Sequence, residues 1–589
     1  MSQNDTGRVF VITDCGSTTT KAILIEQIDG VYRQTYRSEA ATTVEAPVAD
    51  VTVGVRRALL DLSAVSGRRL IDESGDIIRP VSGSDGCDMY MTTSSAGGGL
   101  QMVVLGLVKT ISAASAEKAA LGAGAIVTDC IACDDTRSML EQVERLRRQR
   151  PDMVLLAGGT DGGQQVGVVE LAELLALAEP VPRFGERYEL PVVYAGNSDA
   201  AAAVSKVLSH TARVIVEKNV RPLVETETIS HARDRIHTLF LEHVMQQAPG
   251  FGALMDLCDA DVVPTPAAVG KMLQLLGEKK SVDALCADIG GATTDVFSFV
   301  NGKFNRTVSA NLGMSYSAAF VLKESGIANI LRWLPKGGDE DTLLNQLMNK
   351  TIRPTTIPET LEELAVEQAL AREALRLSLA HHATFATGLK GTVGERNIDG
   401  GFSTGPKSDF QIRDVDLIVG SGGVLSHAPL QMQTVAMLVD AFLPEGVTAI
   451  AKDSIFMMPH LGILGDIDDT AALEVFFNDC IVPLATCVAP LGKAIPGRRA
   501  FSWRFDGADG TVSSGTVIFG ELIHEPLKGD GRLTLAPQRH VDVGFGAGCN
   551  GTLQIDDTLL GLILDGRGRP LASMGTGEWQ RIYEECQNG

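Results

Sequence analysis

The sequence predicts an α/β protein with two lobes of similar construction, and three observations carry that expectation. First, one octet occurs twice. Asp14 to Lys21 reads DCGSTTTK between the apolar runs VFVIT and AILIE, and Asp288 to Asp295 reads DIGGATTD between VDALCA and VFSFV. Laid together without a gap, they share Asp14 with Asp288, Gly16 with Gly290, Thr19 with Thr293 and Thr20 with Thr294. So wide a spacing excludes a solenoid and points to duplicated lobes. Second, from Cys87 to about His210 apolar runs (MVVLGLV, AIVTDCI, DMVLLAGG, LPVVYAG) alternate with helical stretches such as MLEQVERLRRQR, the pattern of a parallel sheet. Third, the pattern changes twice further on. It is helical from about Ile327 to Leu389, and after about Cys480 short alternating runs (AFSWRF, GTVIFG, RLTLA, LQIDD) read as a small β domain.

The elements follow in order. Residues 1–86 are expected to begin the first lobe, and 87–260 to form an inserted α/β region completing it. Residues 261–480 would form the second lobe, with a helical subdomain over 315–390, and 481–589 a C-terminal β-rich domain. Within the inserted region Gly158, Gly159, Thr160, Asp161, Gly162, Gly196 and Asn197 end strands, where α/β folds bind ligands, although strand-to-helix turns need glycine in any case. In the helical subdomain Thr360 and Glu363 form a capping box, followed by Leu364, Ala371, Leu375 and Leu379 at helical intervals.

Each octet joins a carboxylate, a glycine and hydroxyls at a turn between two strands. Glycine lets the backbone approach a ligand, the N–H groups and hydroxyls donate to oxygens, and Lys21 supplies a point charge. Phosphate held with magnesium is the first candidate, the carboxylate facing the metal through water. A bare hairpin turn with no ligand uses similar residues. A third glycine turn, DLIVGSGGVLSHAP (Asp416 to Pro429), places Gly420, Ser421, Gly422 and Gly423 between a strand and a helix, where a ring or ribose would lie against backbone; a tight crossover would need the same glycines.

Composition narrows the function classes. The 589 residues carry a formal charge of -22, which argues against a nucleic-acid or anionic-membrane surface. The stretch MSQNDTGR has no apolar core of signal-peptide length and no apolar run reaches a membrane span, so a soluble cytoplasmic protein is expected. Ten cysteines form no disulfide framework. Cys130 and Cys133 have redox-motif spacing but no second pair for a zinc or iron site, and the adjacent His381 and His382 would point to different helix faces.

Taken together, DCGSTTTK, DIGGATTD and GSGGVLSHAP resemble, in order, the two phosphate loops and the adenosine loop of the actin-like ATPase superfamily. VVPTPAAVGKML (Val262 to Leu273) and FMMPHLGIL (Phe456 to Leu464) are similar to its connecting helices. REALRLSLA (Arg372 to Ala380) resembles the helix that contacts adenosine in the chaperone ATPases, which would put Glu373 and Arg376 near ribose or purine. One departure concerns the general base: where those chaperones carry an acid before the proline of the first connecting segment, this chain has Val263. With TSSAGGGLQMVVLGLV, LLAGGTDGG, VVYAGNSDAAAAV, DIGGATTDVFS and GLILDGRGRPL added, the chain resembles the glutamate mutase MutL family from about Asp14 to about Leu571.

The resemblance implies a two-lobed actin-like (ribonuclease H-like) ATPase. Asp14 and Asp288 would orient magnesium-bound water, with Lys21 offsetting developing charge. Gly16, Ser17, Thr18 and Thr19, with Gly290, Gly291, Thr293 and Thr294, would wrap the phosphates of ATP or ADP, and Gly420, Ser421, Gly422 and Gly423 the nucleoside. It further implies an ATP-dependent accessory or reactivating factor for an adenosylcobalamin-dependent mutase. Cobalamin would not be held by this chain, since no histidine sits in an Asp-x-His-x-x-Gly loop. The partner mutase is not identified and a homo-oligomer stays open. A hydantoinase-type amidohydrolase, a dehydratase-activator-like ATPase and a non-catalytic nucleotide sensor are the alternatives.

Overall fold

The computed structural model describes residues 7–16, 19–44, 47–95, 100–123, 125–182, 189–240, 249–309, 311–315, 317–334, 339–353, 356–385, 410–571 and 577–588. One compact unit is built around Met1–Ala268, and a second around Val269–Asn305, Ser309–Thr384 and Phe410–Gly589.

In the first unit, β1 (Phe10–Cys15), β2 (Thr19–Ile28) and β3 (Val31–Ala41) form an antiparallel meander, and β4 (Met89–Ser94) runs parallel to β1. The six residues of β1 are all buried, as a strand covered on both faces requires. One face packs on the Val51–Ser66 helix through Val55, Leu59 and Leu62. That helix starts where the Asp50 carboxylate accepts the Thr52 N–H and stops at Gly67 in the left-handed region (φ 70°).

The inserted region is a five-stranded sheet with every pairing parallel. It contains β5 (Gln101–Gly106), β6 (Ile126–Ala132), β7 (Met153–Leu156), β8 (Pro191–Tyr194) and β9 (Arg213–Val216), in the order β6-β5-β7-β8-β9. Alternate residues feed two cores: Val103, Leu105, Val154 and Leu156 face one helical layer, Met102, Val104, Met153 and Leu155 the other. The chain then returns to the first sheet as β10 (Val263–Pro264), parallel to β4, and enters the Thr265–Lys280 helix, along which it passes into the second unit.

The second unit repeats the plan. Its β11 (Ala284–Ile289), β12 (Thr294–Val300), β13 (Lys303–Ser309), β14 (Leu417–Ser421) and β15 (Gly446–Asp453) stand in the order β13-β12-β11-β14-β15. The first sheet reads β3-β2-β1-β4-β10. In both, a hairpin leads to a central strand whose other neighbours run parallel to it. This duplication is the actin-like arrangement.

Between β13 and β14 lie helices, of which Leu361–Phe385 is the longest. The Thr360–Glu363 box forms: Glu363 N–H donates to Thr360 Oγ1, and Thr360 N–H to Glu363 Oε2, each at 3.2 Å. Beyond it, the strands β16 (Ile481–Ala489), β17 (Arg499–Gly507), β18 (Val512–Ile518), β19 (Leu522–Glu525), β20 (Gly531–Pro537), β21 (Gly551–Ile555) and β22 (Leu562–Asp565) divide between two sheets. β17, β18, β20 and β21 form a four-stranded antiparallel sheet over a core with Phe501, Trp503, Phe505 and Leu533. β16, β22 and β19 instead extend the β11 sheet, since β16 pairs with β15 along its length. The boundary expected between residues 480 and 481 therefore runs between two hydrogen-bonded strands.

Candidate functional site

In the first unit the DCGSTTTK octet is the β1–β2 turn. Pairing puts Lys21 directly opposite Asp14 on one face of the hairpin, and Gly16 N–H closes the turn on Thr19 O at 3.0 Å. A Cβ on Gly16 would stand 2.7 Å from that carbonyl, so only glycine fits. Ser17 and Thr18 lie outside the described residues. Asp14 is buried, and its Oδ1 accepts from Thr93 Oγ1 at 2.7 Å and from Thr265 Oγ1 at 2.6 Å. Below it Thr13, Tyr90 and Thr92 form a buried hydroxyl chain. Burial pushes the neighbouring Cys15 thiol up to about 12, so this cysteine is packing and not a nucleophile.

In the second unit DIGGATTD forms the same turn. Gly290 N–H closes on Thr293 O at 2.9 Å, and Asp288 holds the position of Asp14 with Asp295 opposite, where the first turn has Lys21. The carbonyls of this turn are braced from the chain just after β13. Met314 N–H donates to Gly290 O, Ser315 N–H to Gly291 O and Ser317 Oγ to Ala292 O, and in the opposite direction Thr294 Oγ1 of the turn donates to Leu312 O.

The third glycine turn continues β14, whose Gly420 lies beside Ala287 and Ser421 beside Asp288. Gly422 (φ 99°) is pressed on the end of β11, where a Cβ would come within 2.1 Å of Ile289 O. A Cβ on Gly423 would meet no atom within 4 Å, so that residue borders open space. Lys452, on β15 beside Gly420, is buried and donates from Nζ to Ser426 O at 2.8 Å; burial pulls its pKa below the usual lysine range. The carboxylate of Asp453 accepts the N–H groups of Ile455, Met457 and Met458, which opens the FMMPHLGIL helix.

Glu373 is fully buried with both oxygens engaged. Oε1 takes Arg332 and Trp333 Nε1, and Oε2 takes Nε and Nη2 of Arg376. Glu373 thus holds Arg376, and a ribose contact by its own carboxylate would require giving up one of these bonds. Arg376 is the member of the pair that reaches solvent. Cys130 is half-buried with its thiol pushed up to about 11 by burial, and Cys133 Sγ rests on Gly167 O. Among the described residues no helix is long and apolar enough to cross a membrane.

Three residues escaped sequence reasoning. Thr93 and Lys452 carry no signal of their own. Thr265 lies in the VVPTP segment singled out for Val263, yet it is the residue two places on that reaches Asp14. Taken unit by unit, the donors suit phosphate and a hard cation: in the first, the Asp14 carboxylate, hydroxyls, the Lys21 ammonium and a turn with no room for a side chain at Gly16; in the second, the Asp288 carboxylate, the turn with Thr293 and Thr294, and open space at Gly423.

Among solved structures, the nucleotide-free structure of an acetone carboxylase aligns over 87% of this chain and 81% of its own, at 11% identity and a TM-score of 0.34. Nucleotide-free diol dehydratase-reactivating factor aligns over 80% and 99%, at 11% identity and 0.30. Component A of the Acidaminococcus fermentans (R)-2-hydroxyglutaryl-CoA dehydratase aligns over 80% and 98%, at 10% identity and 0.25. Protein MutL of Clostridium tetanomorphum is 30% identical over 347 residues, 55% of this chain and 68% of that protein. The family model described as MutL protein matches residues 10–480. With its duplicated sheet, paired turns and a family match over most of its length, the chain belongs to the MutL protein family.

Proposed function

We propose that this protein binds and hydrolyses ATP as its magnesium complex, and that it serves as an ATP-dependent accessory factor for an adenosylcobalamin-dependent mutase. The observation that carries the ATP part is the repeated turn: Gly16 N–H on Thr19 O and Gly290 N–H on Thr293 O, each closing beside an aspartate in the same register. A lone hairpin explains neither the repetition nor the buried hydroxyls on Asp14. The MutL family name supports the mutase part.

A bound magnesium nucleotide would supply the scissile phosphoanhydride and a cation for its charge. The chain's own residues do the rest. Asp14 and Asp288 would hold the metal through its bound water, and the two turns would present N–H groups and hydroxyls to phosphate oxygens. Lys21 places a positive charge on the face of Asp14. Val263 offers no proton acceptor where an acid would have served, so the water is oriented more than activated and hydrolysis is slow.

Asp288→Asn removes the charge and keeps the shape. It is expected to lower magnesium-dependent phosphate release by at least ~100-fold with an unchanged circular-dichroism spectrum. Calorimetric binding of Mg-ADP to the parent, with equal release rates in parent and variant, would overturn the role of Asp288. No binding to the parent would overturn the reading itself.

A further inference from the structure

The two turns match beyond their hairpins. On the strand parallel to each aspartate-bearing strand, the residue in lateral register with the aspartate carries a hydroxyl: Thr93 beside Asp14, and Ser421 beside Asp288. Lateral partners in a sheet project from the same face. In the first unit they touch, Thr93 Oγ1 to Asp14 Oδ1, and Thr265 Oγ1 donates to the same oxygen from the first residue of its helix. Two hydroxyls on Oδ1 fix the rotation of the carboxylate and leave Oδ2 as the oxygen neither of them takes.

In the second unit Ser421 is also fully buried, but among the described residues its Oγ has no hydrogen-bond partner. A buried hydroxyl left unpaired loses its hydration and gains nothing in return. The residues around it do not explain that cost: Gly422 is pressed on Ile289 and Gly423 borders open space. A contact formed only in another state of the site does explain it, and the register names the group within reach, the Asp288 carboxylate.

We infer that Thr93, Thr265 and Ser421 are positioning residues, hydroxyls that orient the carboxylates of Asp14 and Asp288 toward a magnesium-bearing ligand, with the first clamp closed at rest and the second closing on ligand binding. The inference rests on the nucleotide reading above. It gives Ser421 to the metal half of the ligand, whereas the resemblance alone would give it to the nucleoside.

The test uses the full chain and a fluorescent N-methylanthraniloyl ADP, titrated in excess magnesium and in excess EDTA. Ser421→Ala and Thr265→Val should each weaken binding about tenfold in magnesium, the worth of one hydrogen bond to a charged group, and by less than about twofold in EDTA. Thr265→Ser, which keeps the hydroxyl, should follow the parent. Ser421→Ala should melt no lower than the parent, since it deletes an unpaired polar atom. Equal weakening of Ser421→Ala in both arms would place its hydroxyl on the nucleoside and overturn the second clamp. A Thr265→Val variant matching the parent in both arms would overturn the first. A parent that binds in neither arm overturns the nucleotide reading and this inference together, whereas a magnesium-dependent parent with insensitive variants overturns the inference alone.

Discussion

His382 shows how far a single residue's setting can depart from its place in the sequence. It follows His381 on the Leu361–Phe385 helix, yet it is wholly buried, with Nε2 at 2.8 Å from Ser298 Oγ and its ring edge-on to Phe410. Burial pushes its pKa down to about 3 from 6.5. The folded protein therefore resists a proton that the unfolded chain accepts below pH 6.5. The stability this histidine contributes is whole above that pH and is lost as pH falls toward 3. Between pH 7.5 and pH 5 the loss from this group should reach about 2 kcal/mol. All three tryptophans, Trp333, Trp503 and Trp579, lie in the second unit with His382, so their fluorescence follows the right transition. Urea midpoints read this way should fall with acid in the parent and fall less in His382→Gln; parallel slopes would refute the assignment.

At the scale of elements, the last strand and the last helix are tied to the middle of the chain by buried charge. Asp440, on the Gln431–Phe442 helix, accepts from Arg372 Nε, Arg567 Nη1 and Trp579 Nε1. Asp565, at the end of β22, accepts from Arg567 and Arg569. Burial works against the Asp565 charge, but the two guanidiniums outweigh it and hold the carboxyl well below the usual range. The segment GLILDGRGRPL is thus a buried ion network. Arg567→Met strips donors from both carboxylates and should destabilise the second unit by roughly 3–5 kcal/mol, read as a lower urea midpoint of tryptophan fluorescence. An unchanged midpoint would mean that water or another arginine fills the gap.

The same scale separates what sequence could reveal from what it could not. The turns were legible because a hairpin keeps its chemistry within eight consecutive residues, and the parallel sheet because its strands are continuous apolar runs. The clamp on Asp14 was not, since its donors stand 79 and 251 positions away and only the lateral order of β1, β4 and β10 brings them in. That Glu373, expected near ribose or purine, has both oxygens taken inside the fold was hidden for a related reason. A helix pattern gives spacing along one element, and it says nothing of Arg332 and Trp333 on another. Likewise the alternating runs of β17, β18, β20 and β21 announced a small β domain without announcing that β16, just before them, pairs with β15.

For the whole molecule, the proposed role requires two states that differ in affinity for the partner. A ~1000-fold difference between nucleotide states corresponds to about 4 kcal/mol, enough to open an interface of modest strength. With an inactivated cognate mutase, this protein, Mg-ATP and fresh adenosylcobalamin should restore activity, whereas Mg-ADP or the Asp288→Asn variant should not. Equal recovery with Mg-ADP would separate the protein's action from hydrolysis.

The extension of the β11 sheet by β16, β22 and β19 also sets an order on synthesis. β15 acquires its outer neighbour only at Ile481, β16 acquires its own only at Leu562, and Arg567 and Arg569, the partners of Asp565, come later still. At ~5–20 residues per second the interval from β16 to β22 lasts on the order of ten seconds on the ribosome. Through that interval the sheet that carries Asp288 has an open apolar edge, a template for pairing with another chain. A nascent or prematurely stopped chain is therefore exposed to aggregation through the half that carries Asp288, and the need for a chaperone falls late in its synthesis.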